Sequence, residues 1–120
     1  MIEEKRTFLR GAEVFYRKTE KYGNKHSLML LHGMSFSSKN WAQIDAFNTL
    51  SNAGFNVYSP DFPGFGNSMK NSEYEITRDF SKASEFVTDF AKELEISNFS
   101  IVGPSMGGVS SLQHFLITKI

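Results

Sequence analysis

Apolar positions along this chain change rhythm several times, and each change predicts a different element. Thr7-Phe8-Leu9-Arg10 and Glu13-Val14-Phe15-Tyr16 are short β-leaning runs on either side of Gly11-Ala12. A two-residue Gly-X link predicts a hairpin with a type II′ turn, because glycine accepts the positive φ required there. Tyr22-Gly23-Asn24-Lys25 reads as a second turn. Ser27-Leu28-Met29-Leu30-Leu31 is then almost continuously apolar, the pattern of a strand covered on both faces. Trp41, Ile44, Phe47, Leu50 and Ala53 recur at every third position and Gly54 follows as a stop, which predicts one helix of about three or four turns. Phe55-Asn56-Val57-Tyr58-Ser59 returns to a strand, closed by Pro60. From Thr77, a suitable N-cap, the positions Phe80, Ala83, Phe86, Val87, Phe90, Ala91 and Leu94 form one helical stripe. Lys82, Glu85, Asp89, Lys92 and Glu93 fall on its other, solvated face. Phe99, Ile101 and Val102 make another short strand, and the segment from Ser105 to about Lys119 reads as a helix.

The order is thus a hairpin followed by alternating strands and helices. It predicts an α/β fold, a three-layer α/β/α arrangement with a mostly parallel sheet and an N-terminal β-hairpin. Ligands of such sheets collect at the carboxyl ends of the strands. Three glycine-bearing loops stand at those ends: His32-Gly33-Met34-Ser35, then Asp61-Phe62-Pro63-Gly64-Phe65-Gly66-Asn67-Ser68, then Gly103-Pro104-Ser105-Met106-Gly107-Gly108.

Composition narrows the function classes. The 120 residues suit one domain, 1–120, and twelve phenylalanines argue against disorder. Formal net charge is zero and no run of Lys or Arg marks a nucleic-acid face. Without cysteine there is no disulfide framework and no thiolate metal or redox site. The start, Met1-Ile2-Glu3-Glu4-Lys5-Arg6, is charged and precedes no apolar segment, so no leader is expected. No stretch has the length to span a bilayer, and a cytoplasmic location is the expectation.

Gly103-Pro104-Ser105-Met106-Gly107 is a G-x-S-x-G sequence between a predicted strand and a predicted helix. Such a turn projects the serine hydroxyl, while small neighbours let the flanking elements approach. The rival readings fail on single residues. A phosphate loop over Gly103–Ser110 has Val109 where lysine is required, and Gly64-Phe65-Gly66 lacks the third glycine of a dinucleotide fingerprint, with Met69 in its place.

Leu30-Leu31-His32-Gly33, the Asp61–Ser68 loop and Gly103-Pro104-Ser105-Met106-Gly107-Gly108, in that order, resemble the amino-terminal half of an α/β-hydrolase. The resemblance runs from about Thr7 to the end of the chain and implies a fold truncated after the helix that follows the nucleophile. It implies that Ser105 is the nucleophile and that the backbone N–H groups of Met34 and Met106 form the oxyanion hole. His32, Gly33, Gly103 and Gly107 support the motifs, and Asp61 shapes its loop without joining a triad. Trp41 and Phe36 are candidates for the pocket wall, with buried packing the expected role for Trp41. The implied reaction is cleavage of a small ester, thioester or amide, with no metal and no organic cofactor.

The chain departs from the family after Ser105. In chain order the triad runs serine, then an acid, then histidine, but Met106–Ile120 contains no acidic residue and one histidine, His114. On a helix His114 would stand about 13 Å down the axis from Ser105, which carries it away from the catalytic edge. A triad of Ser105, His32 and Asp61 is an alternative that the resemblance disfavours, since it assigns His32 to the oxyanion loop. The acid and base are therefore expected in sequence beyond these residues. Without a sixth strand, Phe99–Val102 would be an exposed apolar edge, which suggests self-association or pairing with a missing carboxyl-terminal half. The competing expectation is an inert fragment, or an interaction module that recruits a partner through that edge.

Overall fold

The computed structural model describes residues 1–33, 35–74, 82–104 and 115–119. Its sheet is built from β1 (Glu3–Leu9), β2 (Ala12–Thr19), β3 (His26–Leu30), β4 (Phe55–Pro60), β5 (Phe99–Pro104) and β6 (Phe115–Lys119). The strands lie in the order β1-β2-β4-β3-β5-β6. Helices α1 (Ser38–Gln43) and α2 (Ala46–Asn52) connect β3 to β4, and α3 (Ala83–Glu93) precedes β5.

Alternation along the strands sorts the core into two layers. Met29 and Leu31 face α3, where they join Val14, Tyr16, Tyr58 and Phe99 against Ala83, Phe86, Val87, Phe90 and Ala91. Leu28 and Leu30 face the other way and meet Val57 and Phe47, with Trp41, Ala46 and Leu50 packed on them. One sheet with helices on both faces is the three-layer α/β/α arrangement that the apolar pattern predicts. The α3 stripe is closed by aromatic contacts: the Phe90 ring meets Tyr16 edge-on at 5.2 Å, and Phe86 lies 5.4 Å from Phe62. Each fully buried ring of this kind contributes about 2–3 kcal/mol through the area it removes from water.

The sheet is mixed. β3 pairs parallel with β4 and with β5, whereas β1–β2, β2–β4 and β5–β6 are antiparallel. The parallel expectation holds for the β4-β3-β5 centre, where α1 and α2 return the chain from β3 to β4 and α3 returns it to β5, and fails at both flanks. The flank at β6 corrects the reading of Ser105–Lys119 as one helix. Phe115–Lys119 is a strand, and its pairing from Ser100↔Lys119 to Pro104↔Phe115 gives β5 a second neighbour. Thr118 and Ile117 are β-branched and Phe115 is aromatic, residues that favour a strand once an unpaired edge offers hydrogen bonds. The exposed β5 edge expected from the sequence is therefore covered.

Two further expectations need correction. The hairpin turn consists of Arg10 and Gly11, both with positive φ (48° and 82°), which is the type I′ pattern; the pairing Leu9↔Ala12 leaves only those two residues in the loop. The single helix over Trp41–Ala53 is two helices, broken at Asp45, whose φ is 58°. A three-residue repeat falls about 60° short of a full helical turn at each step, so its apolar line winds around the helix. The break resets it: Phe47 is buried and Ile44 is left 69% exposed. Thr77 and Phe80, the expected start of the third helix, lie outside the described residues.

Candidate active site

The parallel centre of the sheet sends the loops after β3, β4 and β5 to one edge. β2 runs antiparallel to β4 with Tyr16 opposite Pro60, so residues Ala12–Phe15 and the hairpin turn overhang the same edge. The hairpin is laced to the loop after β4: Asp61 N–H donates to the Phe15 carbonyl at 2.9 Å and Met69 N–H to the Glu13 carbonyl at 3.0 Å. Ser68 completes the lacing, its Oγ accepting from Phe15 N–H and donating to the Asp61 carbonyl.

Among the residues singled out from the sequence, His32 is the best defined. It is buried, at 3% exposure, with the rings of Phe62 and Phe65 against it at 4.9 and 5.4 Å. Its Nε2 lies 2.9 Å from the N–H of Phe62, and its Nδ1 lies 2.7 Å from the carbonyl of Gly33. A main-chain N–H can only donate, so Nε2 accepts. Nδ1 faces a carbonyl and so carries the proton. The ring is thereby fixed as the neutral Nδ1–H tautomer. Burial pushes its pKa below the ordinary value, opposed by the Gly33 carbonyl and the charge of Asp61. Both nitrogens are committed to the main chain, which leaves neither as a base for a serine. His32 joins the loop after β3 to the loop after β4, and Gly33 is held a second time by the N–H of Phe36 at 3.1 Å.

Asp61 joins the same loops from the other side. It is fully buried; Oδ1 accepts the Ser38 N–H at 2.7 Å and Oδ2 the Asn67 N–H at 2.9 Å. A carboxylate fits here because two converging main-chain donors lie at the start of α1 and in the loop. α1 is set in place by Ser37, whose hydroxyl accepts from Lys39 N–H while the Asn40 side chain accepts from Ser37 N–H. Gly103 lies against β3: a Cβ there would stand 3.0 Å from Leu31 Cβ and 3.2 Å from the Leu31 carbonyl oxygen. The Leu31 N–H donates to the Val102 carbonyl at 2.8 Å, so the chain is paired with β5 up to the residue before His32.

Ser105, Met106, Gly107 and Met34, the expected nucleophile, oxyanion donors and motif glycine, lie outside the described residues, as does His114. Trp41 packs on the Leu28–Leu30 layer and donates from Nε1 to the Leu31 carbonyl at 3.2 Å, whereas Phe36 is 53% exposed. Sequence reasoning missed Arg17 and Ser38. Arg17 is 8% exposed and donates from Nη1 to Ser38 Oγ at 2.6 Å. An arginine in the middle of an otherwise apolar-leaning strand was the available signal. Among the described residues, no helix is long and apolar enough to cross a membrane.

Comparison with known proteins gives this geometry a family. Residues 27–117 match the family model of the alpha/beta hydrolase fold. Protein ABHD14A of Rattus norvegicus is 30% identical over 108 residues, covering 88% of this chain and 43% of that protein. The rat protein named "Putative protein-lysine deacylase ABHD14B" is 29% identical, covering 87% of this chain and 50% of its own length. Among solved structures, a predicted CIB-like hydrolase from Thermoplasma acidophilum superposes with a TM-score of 0.81 at 40% identity, covering 88% of this chain and 52% of that one. The chain thus spans about half the length of these relatives. The matched stretch contains both described loops and the strands that carry them, and on that ground the chain belongs to the α/β-hydrolase fold family.

Proposed function

We propose that this chain carries the nucleophile and the oxyanion-binding loop of a serine hydrolase that cleaves an ester, thioester or amide. The observation that carries the reading is the double lock of His32: one ring nitrogen holds Gly33 and the other holds Phe62. That lock fixes the backbone just before Met34, on a strand that pairs with β5 up to Leu31 and Val102. In sequence, residue 34 comes soon after β3 and residues 105–106 directly after β5, and these two strands are parallel neighbours.

In this reading the Ser105 hydroxyl attacks the substrate carbonyl and its proton passes to a base. The N–H groups of Met34 and Met106 donate to the oxyanion, an interaction whose loss of one donor costs about 10²–10³ in turnover. Collapse expels an alcohol, thiol or amine, which takes the proton, and water then repeats the sequence on the acyl-serine. The base and the acid that orients it belong to sequence beyond these 120 residues. The name of the ABHD14B relative favours an amide of an acylated lysine among the three substrate classes.

A serine-directed fluorophosphonate tests the reading. Labelling of the wild-type chain that disappears in Ser105→Ala is expected. No labelling of the chain, alone or joined to a carboxyl-terminal half that supplies acid and base, overturns it.

A further inference from the structure

The loops at the catalytic edge hang from a polar relay that starts far from them in the chain. Arg17 lies in β2, opposite Ser59 of β4, with its guanidinium under the start of α1. A guanidinium this deeply buried carries a large desolvation cost unless its donors are used. One donor reaches Ser38 Oγ at 2.6 Å; another reaches Glu4 Oε2 at 3.4 Å, a carboxylate whose side chain is 61% exposed. Its Cζ also lies over the Phe15 ring, 4.8 Å from the centroid. The shortest of these contacts is thus made to a neutral hydroxyl, and the Ser38 residue that carries it donates its own N–H to Asp61.

From the geometry we infer that Arg17 is a positioning residue for the oxyanion loop. The relay runs from Arg17 to Ser38, from Ser38 to Asp61, and from Asp61 to Asn67. Arg17 fixes the hydroxyl of Ser38, which sets the direction of the Ser38 N–H, and that direction seats the Asp61 carboxylate between the two loops. The segment 33–38 is then held at both ends, by His32 on Gly33 and by Arg17 and Asp61 on Ser38. The planar fork of arginine suits this role, because it can grip Ser38 while its Cζ lies over the Phe15 ring. The effect on the reaction rests on the serine hydrolase reading above; the effect on the loop does not.

Two measurements on the same variants keep those apart. Amide hydrogen exchange is followed at Ser38 and Asn67, with Leu30 in the core of β3 as the reference, in wild type, Arg17→Gln, Arg17→Lys, Ser38→Ala and the Arg17→Gln/Ser38→Ala double variant. Exchange at Ser38 and Asn67 is expected to accelerate about tenfold in both single variants while Leu30 changes little. The double variant is expected to match the faster single, because both remove one contact, and Arg17→Lys to recover part of the protection. Equal acceleration at Leu30, or additive effects in the double variant, would overturn the inference; Ser38→Ala decides it even if Arg17→Gln does not fold. Fluorophosphonate labelling adds the functional arm: the limiting rate falls about tenfold in Arg17→Gln with the half-saturating concentration unchanged. Absence of labelling in wild type, even joined to a carboxyl-terminal half that supplies acid and base, counts against the hydrolase reading, and the exchange pattern still decides whether Arg17 holds the loop.

Discussion

The carboxylate of Asp61 occupies the space that a side chain on Gly66 would need. A Cβ at residue 66 would lie 2.2 Å from Asp61 Oδ2 and 2.9 Å from Ser37 Cβ, and the residue has φ of +52°. Asp61 cannot yield, since both its oxygens are tied to main-chain N–H groups.

Gly66→Ala is therefore expected to destabilise the chain by about 3 kcal/mol, combining left-handed strain with overpacking against a buried carboxylate. Gly64→Ala supplies the control. Its φ is +84°, yet its Cβ would meet Lys70 Cγ at an ordinary 3.6 Å, so strain alone should cost about 1 kcal/mol. Urea unfolding of the two variants measures the difference. Equal losses would mean that the Asp61 carboxylate does not fill that space.

His32 gives the fold a pH dependence whose sign follows from its surroundings. Burial lowers its folded pKa, so below the ordinary value of about 6.5 the unfolded chain binds a proton that the folded chain refuses. Stability contributed by His32 is complete above pH 6.5 and declines as the pH falls from there toward the lowered folded value. The slope approaches about 1.4 kcal/mol per pH unit within that window. The structural reason is that a proton on Nε2 would confront the Phe62 N–H. Unfolding midpoints between pH 7 and pH 5 should show this decline in wild type and a flatter profile in His32→Gln, which retains an acceptor but does not titrate. A wild-type profile as flat as that of the variant would show that His32 is not held neutral.

What could be read from the sequence was whatever depends on period and on local backbone chemistry. The run from Leu28 to Leu31 alternates between two apolar layers, as expected of a doubly covered strand. Phe86, Val87, Phe90 and Ala91 fall on one helical face and are buried there. The errors arose where a neighbour in space decides. Arg10 takes a positive φ in the turn, because the pairing Leu9↔Ala12 places it there, although its type argues otherwise. Phe115–Lys119 is a strand because β5 offers it an edge, a circumstance no local pattern encodes. At the candidate site the motif residues His32, Asp61 and Gly103 stood out, but Arg17 and Ser38, which lead to Asp61, did not. Arg17, Ser38 and Asp61 are 44 positions apart from first to last, and only the fold brings them together.

Gly103 offers the most direct test of how closely β5 must approach β3. The contacts that a Cβ would make are with Leu31 Cβ at 3.0 Å and with the Leu31 carbonyl oxygen at 3.2 Å. Both are fixed parts of the neighbouring strand, since the Leu31 carbonyl also accepts from Trp41 and its N–H donates to Val102. Gly103→Ala should therefore cost about 1–3 kcal/mol and push the two strands apart at the point where they lead into residues 34 and 105. Shortening the opposing side chain should not relieve it, because Leu31→Ala keeps both the Cβ and the carbonyl. The double variant is expected to lose at least the sum of the two single losses in urea unfolding. Recovery in Leu31→Ala/Gly103→Ala would show that the crowding comes from the outer leucine side chain, and that the strands have room to separate.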